Sequence, residues 1–206
     1  MDDFFDPNGK MMEILWKPIH IMFLNLLWIL FSLPIFTIGA STTALYSVFI
    51  KMRNGKEGKL FRDFWDAFWT NFRQATVIWL IVVLAAIVFT IDIFYFVNMG
   101  GFAGTFFAMI FLGLDVVLLL MGMYVFPLQA VFDNKIGTTL KSALFLSFRH
   151  LGRTIVLLAL GALTLICIWL FGIAVLWFVF GLAAFVNTAI FDGIFKRYYS
   201  EALNGS

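Results

Sequence analysis

One cysteine, four prolines and very little charge set this chain apart by what it lacks. With Cys167 alone no disulfide can form within the chain, which excludes a disulfide-stapled extracellular module. Lying in an apolar run, Cys167 reads as a small hydrophobe. Charged residues fill 13% of the 206 positions, and a net charge of +2 is too small to mark a nucleic-acid surface. No HExxH, GxxxxGK or Ser–His–Asp pattern is present. His20 has no Cys, Asp or Glu at a ligand-like spacing, and no metal or cofactor is expected. Asn54-Gly55-Lys56-Glu57-Gly58 follows no strand, so it reads as a turn and not as a phosphate loop.

What is present is apolar surface: 63% hydrophobic residues, with 27 Phe and 7 Trp. That is more than a soluble domain of this length buries in one core, so the solvent must be lipid. The expected fold is all-α, a polytopic membrane helix bundle forming a single domain over 1–206. No cleavable signal peptide is expected, because Asp2, Asp3, Asp6 and Glu13 crowd the first 18 residues and the following apolar run is too long.

A spanning helix needs about 20 apolar residues. Five spans are expected, at about 19–38, 76–97, 105–128, 154–171 and 173–191, the last two reversing at Gly172. Asn98–Gly104 and the surroundings of Gly172 hold no Lys or Arg, whereas Lys51 to Arg73 and Lys135 to Arg153 are rich in both. The positive-inside rule makes these two loops cytoplasmic, and Lys196 and Arg197 put the C-terminus on the same side. An odd number of spans then leaves the N-terminus outside. A second reading of the first stretch stands beside this one: the apolar run continues through Pro34 and Gly39 to Ile50, as a broken segment or two short helices that would bring the N-terminus inside.

The cytoplasmic loops carry helical patterns of their own. Phe61, Phe64, Trp65, Phe68, Trp69 and Phe72 recur at helical spacing, with Arg62, Asp63, Asp66, Asn71 and Arg73 between them. This predicts an interfacial helix over about 60–74 with its aromatics turned into the membrane surface. A second, over about 138–151, would place Leu140, Ala143, Leu144, Phe148 and Leu151 on one face and Lys141, Arg149 and Arg153 elsewhere, with Thr138 as N-cap. Arg62, Phe64, Trp65, Phe68, Trp69, Phe72, Arg73, Lys141, Phe148, Arg149 and Arg153 are therefore the candidate partner or lipid interface. His150 belongs with this headgroup or partner surface and not with a catalytic base. Aligning Asn71-Phe72-Arg73 with Ser147-Phe148-Arg149 also aligns Ala67 with Ala143. Either an internal repeat of span, interfacial helix and span or two independent solutions to the same interfacial problem accounts for this.

Polar residues inside the spans are the remaining candidates. Asp115 lies mid-span with no basic residue in any span to pair with it. It is either a proton- or solute-binding group or a neutral Asp bonded to another helix. Asn25 and Asn187 read first as interhelical hydrogen-bonding groups, and Asp92 and Asn98 as a solvated helix end. Asp115, Asn25, Asn187 and Asp92 together form the candidate intramembrane polar site.

Asn25-Leu26-Leu27-Trp28, then Ser32-Leu33-Pro34-Ile35-Phe36-Thr37-Ile38-Gly39-Ala40 and Thr42-Thr43-Ala44-Leu45-Tyr46, resemble the signature of the YesL-like family of bacterial membrane proteins of unknown function. Phe64-Trp65 and Asn71-Phe72-Arg73-Gln74-Ala75 extend the resemblance, which covers nearly the whole chain. It implies a multi-pass protein of a Gram-positive-type plasma membrane, associated with carbohydrate utilisation and sugar importers of the ABC class, and it brings no established catalytic residues. The function expected is an accessory or regulatory subunit beside such an importer. The glycine-centred EAA loop by which importer permeases dock their ATPase is missing. The alternative is a small stand-alone carrier or channel for a polar solute that uses Asp115. An intramembrane enzyme is not expected, since one isolated carboxylate makes neither a nucleophile–base pair nor a metal site. The expected partners are membrane lipids, ABC transporter subunits or further copies of the chain.

Overall fold

The computed structural model describes residues 10–56, 58–172 and 176–204, with side chains described for 16–56, 58–172 and 178–194. The N-terminal acidic cluster, the side chains of Lys196 and Arg197 and the expected start of the last span at 173 lie outside the described residues. Seven α-helices follow in order: α1 (Lys10–Ser32), α2 (Ile38–Arg53), α3 (Leu60–Met99), α4 (Gly101–Val131), α5 (Ile136–Arg149), α6 (Leu151–Phe171) and α7 (Leu176–Asn204). No strand occurs among the described residues, as the apolar periodicity predicts.

The first apolar stretch is two helices, and the helix expected to reach Ile38 ends at Ser32. The cause is Pro34, which lacks an N–H and keeps the preceding residue out of the helical region. The carbonyls freed by the break are taken up locally. A 3-10 turn forms over Ile35–Thr37, and Thr37 donates from its N–H to Pro34 O at 2.7 Å. Its hydroxyl donates between Phe31 O at 2.5 Å and Pro34 O at 2.6 Å. Beyond the break α2 is the most enclosed element, with Leu45, Val48 and Phe49 fully buried. Its polar residues are buried too: Ser41 donates to Thr37 O and Thr43 to Gly39 O, so their hydroxyls are satisfied within the helix.

The interfacial helix expected over 60–74 and the span expected over 76–97 are one continuous helix of 40 residues, α3. At 1.5 Å per residue it is about 60 Å long, roughly twice the hydrocarbon core of a bilayer. A helix leaving an apolar phase has no need to stop, because its backbone hydrogen bonds are internal. The N-terminal half packs along α2, where Gly39 lets the two backbones meet: a Cβ there would lie 2.6 Å from Ala75 O and 2.7 Å from Trp79 Cβ. The remainder forms an antiparallel hairpin with α4, turning at Gly100 and Gly101, whose φ of 67° and 68° suit glycine alone. Stacked rings of Phe96 with Phe107 and Phe111 join the two helices on the side of this turn.

The second amphipathic helix exists as α5, with its buried face turned from the expected one. Thr139, Ala143, Leu146 and Ser147 point inward, while Phe148 is exposed. The helix starts at Ile136 with Lys135 in the cap position, so Thr138 is no cap. Thr139 and Ser147 tolerate burial because other residues satisfy them. Thr139 donates to Gln129 Oε1 at 3.3 Å, and Gln129 donates to Asn71 Oδ1 at 3.4 Å. Ser147 donates to Leu144 O, and its carbonyl accepts from Thr154 at 2.9 Å. Since Thr154 spends its proton there, the Tyr124 hydroxyl 2.8 Å away is the donor of that pair. These bonds tie α3, α4, α5 and α6 at one level. The aligned segments around Phe72 and Phe148 differ accordingly: the first runs on without a break into the apolar part of α3, whereas the second ends at Arg149 before α6 begins.

Among the described residues four helical stretches are long and apolar enough to cross a membrane, 35–53, 60–99, 101–131 and 151–171, and shorter apolar stretches run over 16–32 and 178–194.

Candidate functional site: two clefts around α4

Two clefts open on either side of one strip of wall. The first, about 520 Å³, lies between α4, α6 and α7 and reaches Thr42 and Tyr46 on α2. The second, about 720 Å³, lies between α3 and α4 and contains Thr90 and Asp115. Leu119, Gly122, Met123 and Phe126 of α4, with Phe180 of α7, line both. Phe180 is held in place by Trp28, whose ring stacks on it at a centroid distance of 3.9 Å.

The four residues expected to share one polar cavity do not share it. Asp115, half-buried, faces the larger cleft and accepts a bond from the Thr90 hydroxyl at 3.4 Å. Asn187 faces the smaller cleft, which Tyr46 also lines. Its Oδ1 is buried and takes no hydrogen bond among the described residues. Asn25, fully buried, lines neither cleft: it fills the notch left by Gly181, where a Cβ would come within 2.8 Å of the Asn25 Cβ. Asp92 lines neither as well. Helical spacing hides this outcome, since residues that share depth in a membrane can face opposite sides of one helix.

The aromatic row at the start of α3 divides in two. Phe64 and Phe68 are buried beneath Phe31, with ring centroids at 5.5 and 5.0 Å, and do not face a membrane surface as expected. Phe61, Trp65 and Trp69 are exposed, with Phe61 stacked on Trp65 and Trp65 edge-on to Trp69. Phe72 is half-buried. Arg62 pairs with Asp66 at 3.7 Å on the exposed side, and Arg73 is exposed one turn above Trp69. On α5, Lys141, Phe148 and Arg149 are exposed, and the Arg149 guanidinium lies 5.6 Å from the Phe145 ring. Arg153 reaches along α7 at Gly193, where an added Cβ would sit 3.7 Å from its guanidinium. The interface candidates thus fall on two surfaces, one aromatic on α3 and one basic on α5 and α6.

Thr42, Tyr46 and Phe180 did not stand out as site residues: the first two were read only as part of a signature and the third lies in an apolar run. The only local cue is the Thr42-Thr43 pair within a stretch already singled out as a signature. Among the described residues no three His, Cys, Asp or Glu side chains come together as a metal site would require.

Fold and clefts together define an all-α protein of membrane-spanning type, built from long apolar helices around a polar-pinned interior. Residues 21–93 match the family described as "Protein of unknown function, DUF624". The chain is 30% identical over 166 residues to the uncharacterized protein YesL of Bacillus subtilis (strain 168), covering 79% of this chain and 78% of that one. It is 28% identical over 162 residues to the uncharacterized protein YteU of the same organism, covering 74% and 70%. The chain belongs to the YesL-like family. No solved structure matches it.

Proposed function

We propose that this protein is a non-catalytic accessory or regulatory subunit that works beside another assembly in the bacterial plasma membrane, with its basic loops and C-terminus cytoplasmic. The observation that carries this reading is the exposed triplet Phe61, Trp65 and Trp69 on a rigid helix, on the part of α3 that exceeds the thickness of a bilayer core. Exposed, contiguous aromatics on a preformed helix are the usual anchors of a protein contact. The exposed Lys141 and Arg149 of α5 add a basic surface next to a second apolar helix. The family resemblance supports a carbohydrate importer of the ABC class as the partner. Affinity purification from native membranes in mild detergent tests this: a transporter should copurify with the wild type and be lost from Trp65→Ala/Trp69→Ala. Recovery of the wild type free of any transporter would overturn it.

A second reading, a small carrier for a polar solute, is favoured by one observation, that Asp115 and Thr90 open onto the larger cleft. In that case Asp115→Asn abolishes uptake into reconstituted vesicles. Wild-type vesicles that take up nothing would remove the reading.

A further inference from the structure

The smaller cleft has the dimensions and chemistry of a ligand site. None of its described lining residues carries a charge, and the walls from Leu119, Leu157, Leu165 and Ala184 are apolar. Its polar groups are Thr42 and Tyr46 of α2, Asn187 of α7 and Thr164 of α6. Thr42 already accepts from Trp28, and the Thr164 hydroxyl is used by Leu160 O. Asn187 is different. Its Oδ1 is buried and takes no hydrogen bond among the described residues, and an amide turned the other way would put Nδ2 in that same place. A buried polar atom left in that condition is destabilising until a ligand group or water reaches it.

At about 520 Å³ the cleft falls in the range of small-molecule sites. Its lips, Leu119 and Leu165, are 57% and 68% exposed and continue into the bare apolar surface of α6, so its mouth opens toward lipid.

We propose that this cleft holds one chain of an uncharged membrane lipid whose polar end carries a hydrogen-bonding hydroxyl. The chain lies against Leu157, Gly161 and Ala184, and the hydroxyl reaches the free polar atom of Asn187 after a rotation of that side chain. An alcohol both donates and accepts, so it satisfies either orientation of the amide. A charged headgroup finds no counter-charge here. The site stands whether or not the protein serves as a subunit, since it uses none of the exposed aromatics of α3.

The test is photo-crosslinking in vesicles of phosphatidylcholine and phosphatidylglycerol containing a trace of diacylglycerol with a diazirine in its acyl chain. A phosphatidylcholine with the same diazirine chain is the control. Diacylglycerol adducts should concentrate on residues 119–127, 157–168 and 180–191 and exceed those of the control. Gly161→Phe should abolish them. An added Cβ at Gly161 meets only Met123 Cε, at 3.7 Å, so the larger side chain fills the cleft without striking backbone. Asn187→Leu, close in shape, should lower diacylglycerol labelling about fivefold, the ratio one net hydrogen bond supports, and leave the control unchanged. Labelling spread evenly over the apolar helices, equal yields from the two probes, or adducts indifferent to Gly161→Phe would each overturn the proposal. If Gly161→Phe fails to reconstitute, the comparison of probes between wild type and Asn187→Leu decides alone.

Discussion

The Trp28 indole N–H donates to the Thr42 hydroxyl at 3.0 Å, joining the two helices on either side of the Pro34 break. The same ring stacks on Phe180, so one side chain ties α1, α2 and α7 together. Trp28→Phe keeps a ring and loses the donor; Thr42→Val keeps the shape and loses the acceptor. Each should lower stability by about 1 kcal/mol, with a coupling near 0.6 kcal/mol in the double variant, the average for hydrogen bonds between membrane helices. Thermal unfolding of the purified protein in detergent measures this, and strictly additive losses would show that the bond contributes nothing.

Gly39 has no room for a side chain, because the neighbouring atoms belong to the backbone of Ala75 and the Cβ of Trp79. Gly39→Ala must push α2 from α3 and should cost about 1–3 kcal/mol. Gly113→Ala is the control, since nothing lies within 4 Å of an added Cβ there. It should be neutral or slightly stabilising, as alanine favours helix over glycine by up to about 1 kcal/mol. Size-exclusion profiles after graded heating separate the two; equal behaviour would contradict the close approach.

Gln129 bridges Asn71 and Thr139 and so fastens α5 beneath the end of α4. Gln129→Leu removes both bonds, leaving Thr139 its donation to Lys135 O at 3.3 Å and Asn71 Oδ1 without this donor, and should destabilise the junction by about 1 kcal/mol or more. The expected consequence is faster trypsin cleavage after Lys135, in the connection between α4 and α5. An unchanged cleavage rate would mean that α5 is held by its apolar face alone.

Asp63 accepts from Lys51 Nζ at 3.0 Å with one oxygen and from the Gly58 N–H at 3.1 Å with the other. Lys51→Met removes only a partly exposed ion pair and should cost less than about 1 kcal/mol, the effect shrinking in high salt. Asp63→Ala also frees the Gly58 N–H, so the 54–59 connection should become the more protease-sensitive of the two variants. Identical digestion patterns would remove the loop-fastening role.

The helical class and the position of each apolar run were legible because hydrophobicity and length act locally. The break at Pro34 was legible as a possibility, since proline alone marks it, but its completion depends on Thr37 bonding back to Phe31 and Pro34. The continuity of α3 was not legible: Arg73, Gln74 and Thr76 interrupt hydrophobicity at the junction of the two expected segments without interrupting the helix. The rotated face of α5 was hidden for a further reason. Thr139 and Thr154 look like surface residues until Gln129 and Tyr124, distant in sequence, supply their partners. Asn187 was noticed as a polar residue in a span, but Tyr46, which lines the same cleft, lies over a hundred positions earlier, so nothing local joins the two.

The 40 residues of α3 contain neither glycine nor proline, whereas each of the other six helices contains at least one. Kinks in helices arise chiefly at such residues, so the other helices have built-in points of bending and α3 has none. Trp65 and the Gly100 turn are about 50 Å apart along this one helix, with no glycine or proline between them. A helix of this length with no glycine or proline is a stiff rod long enough to cross a bilayer core.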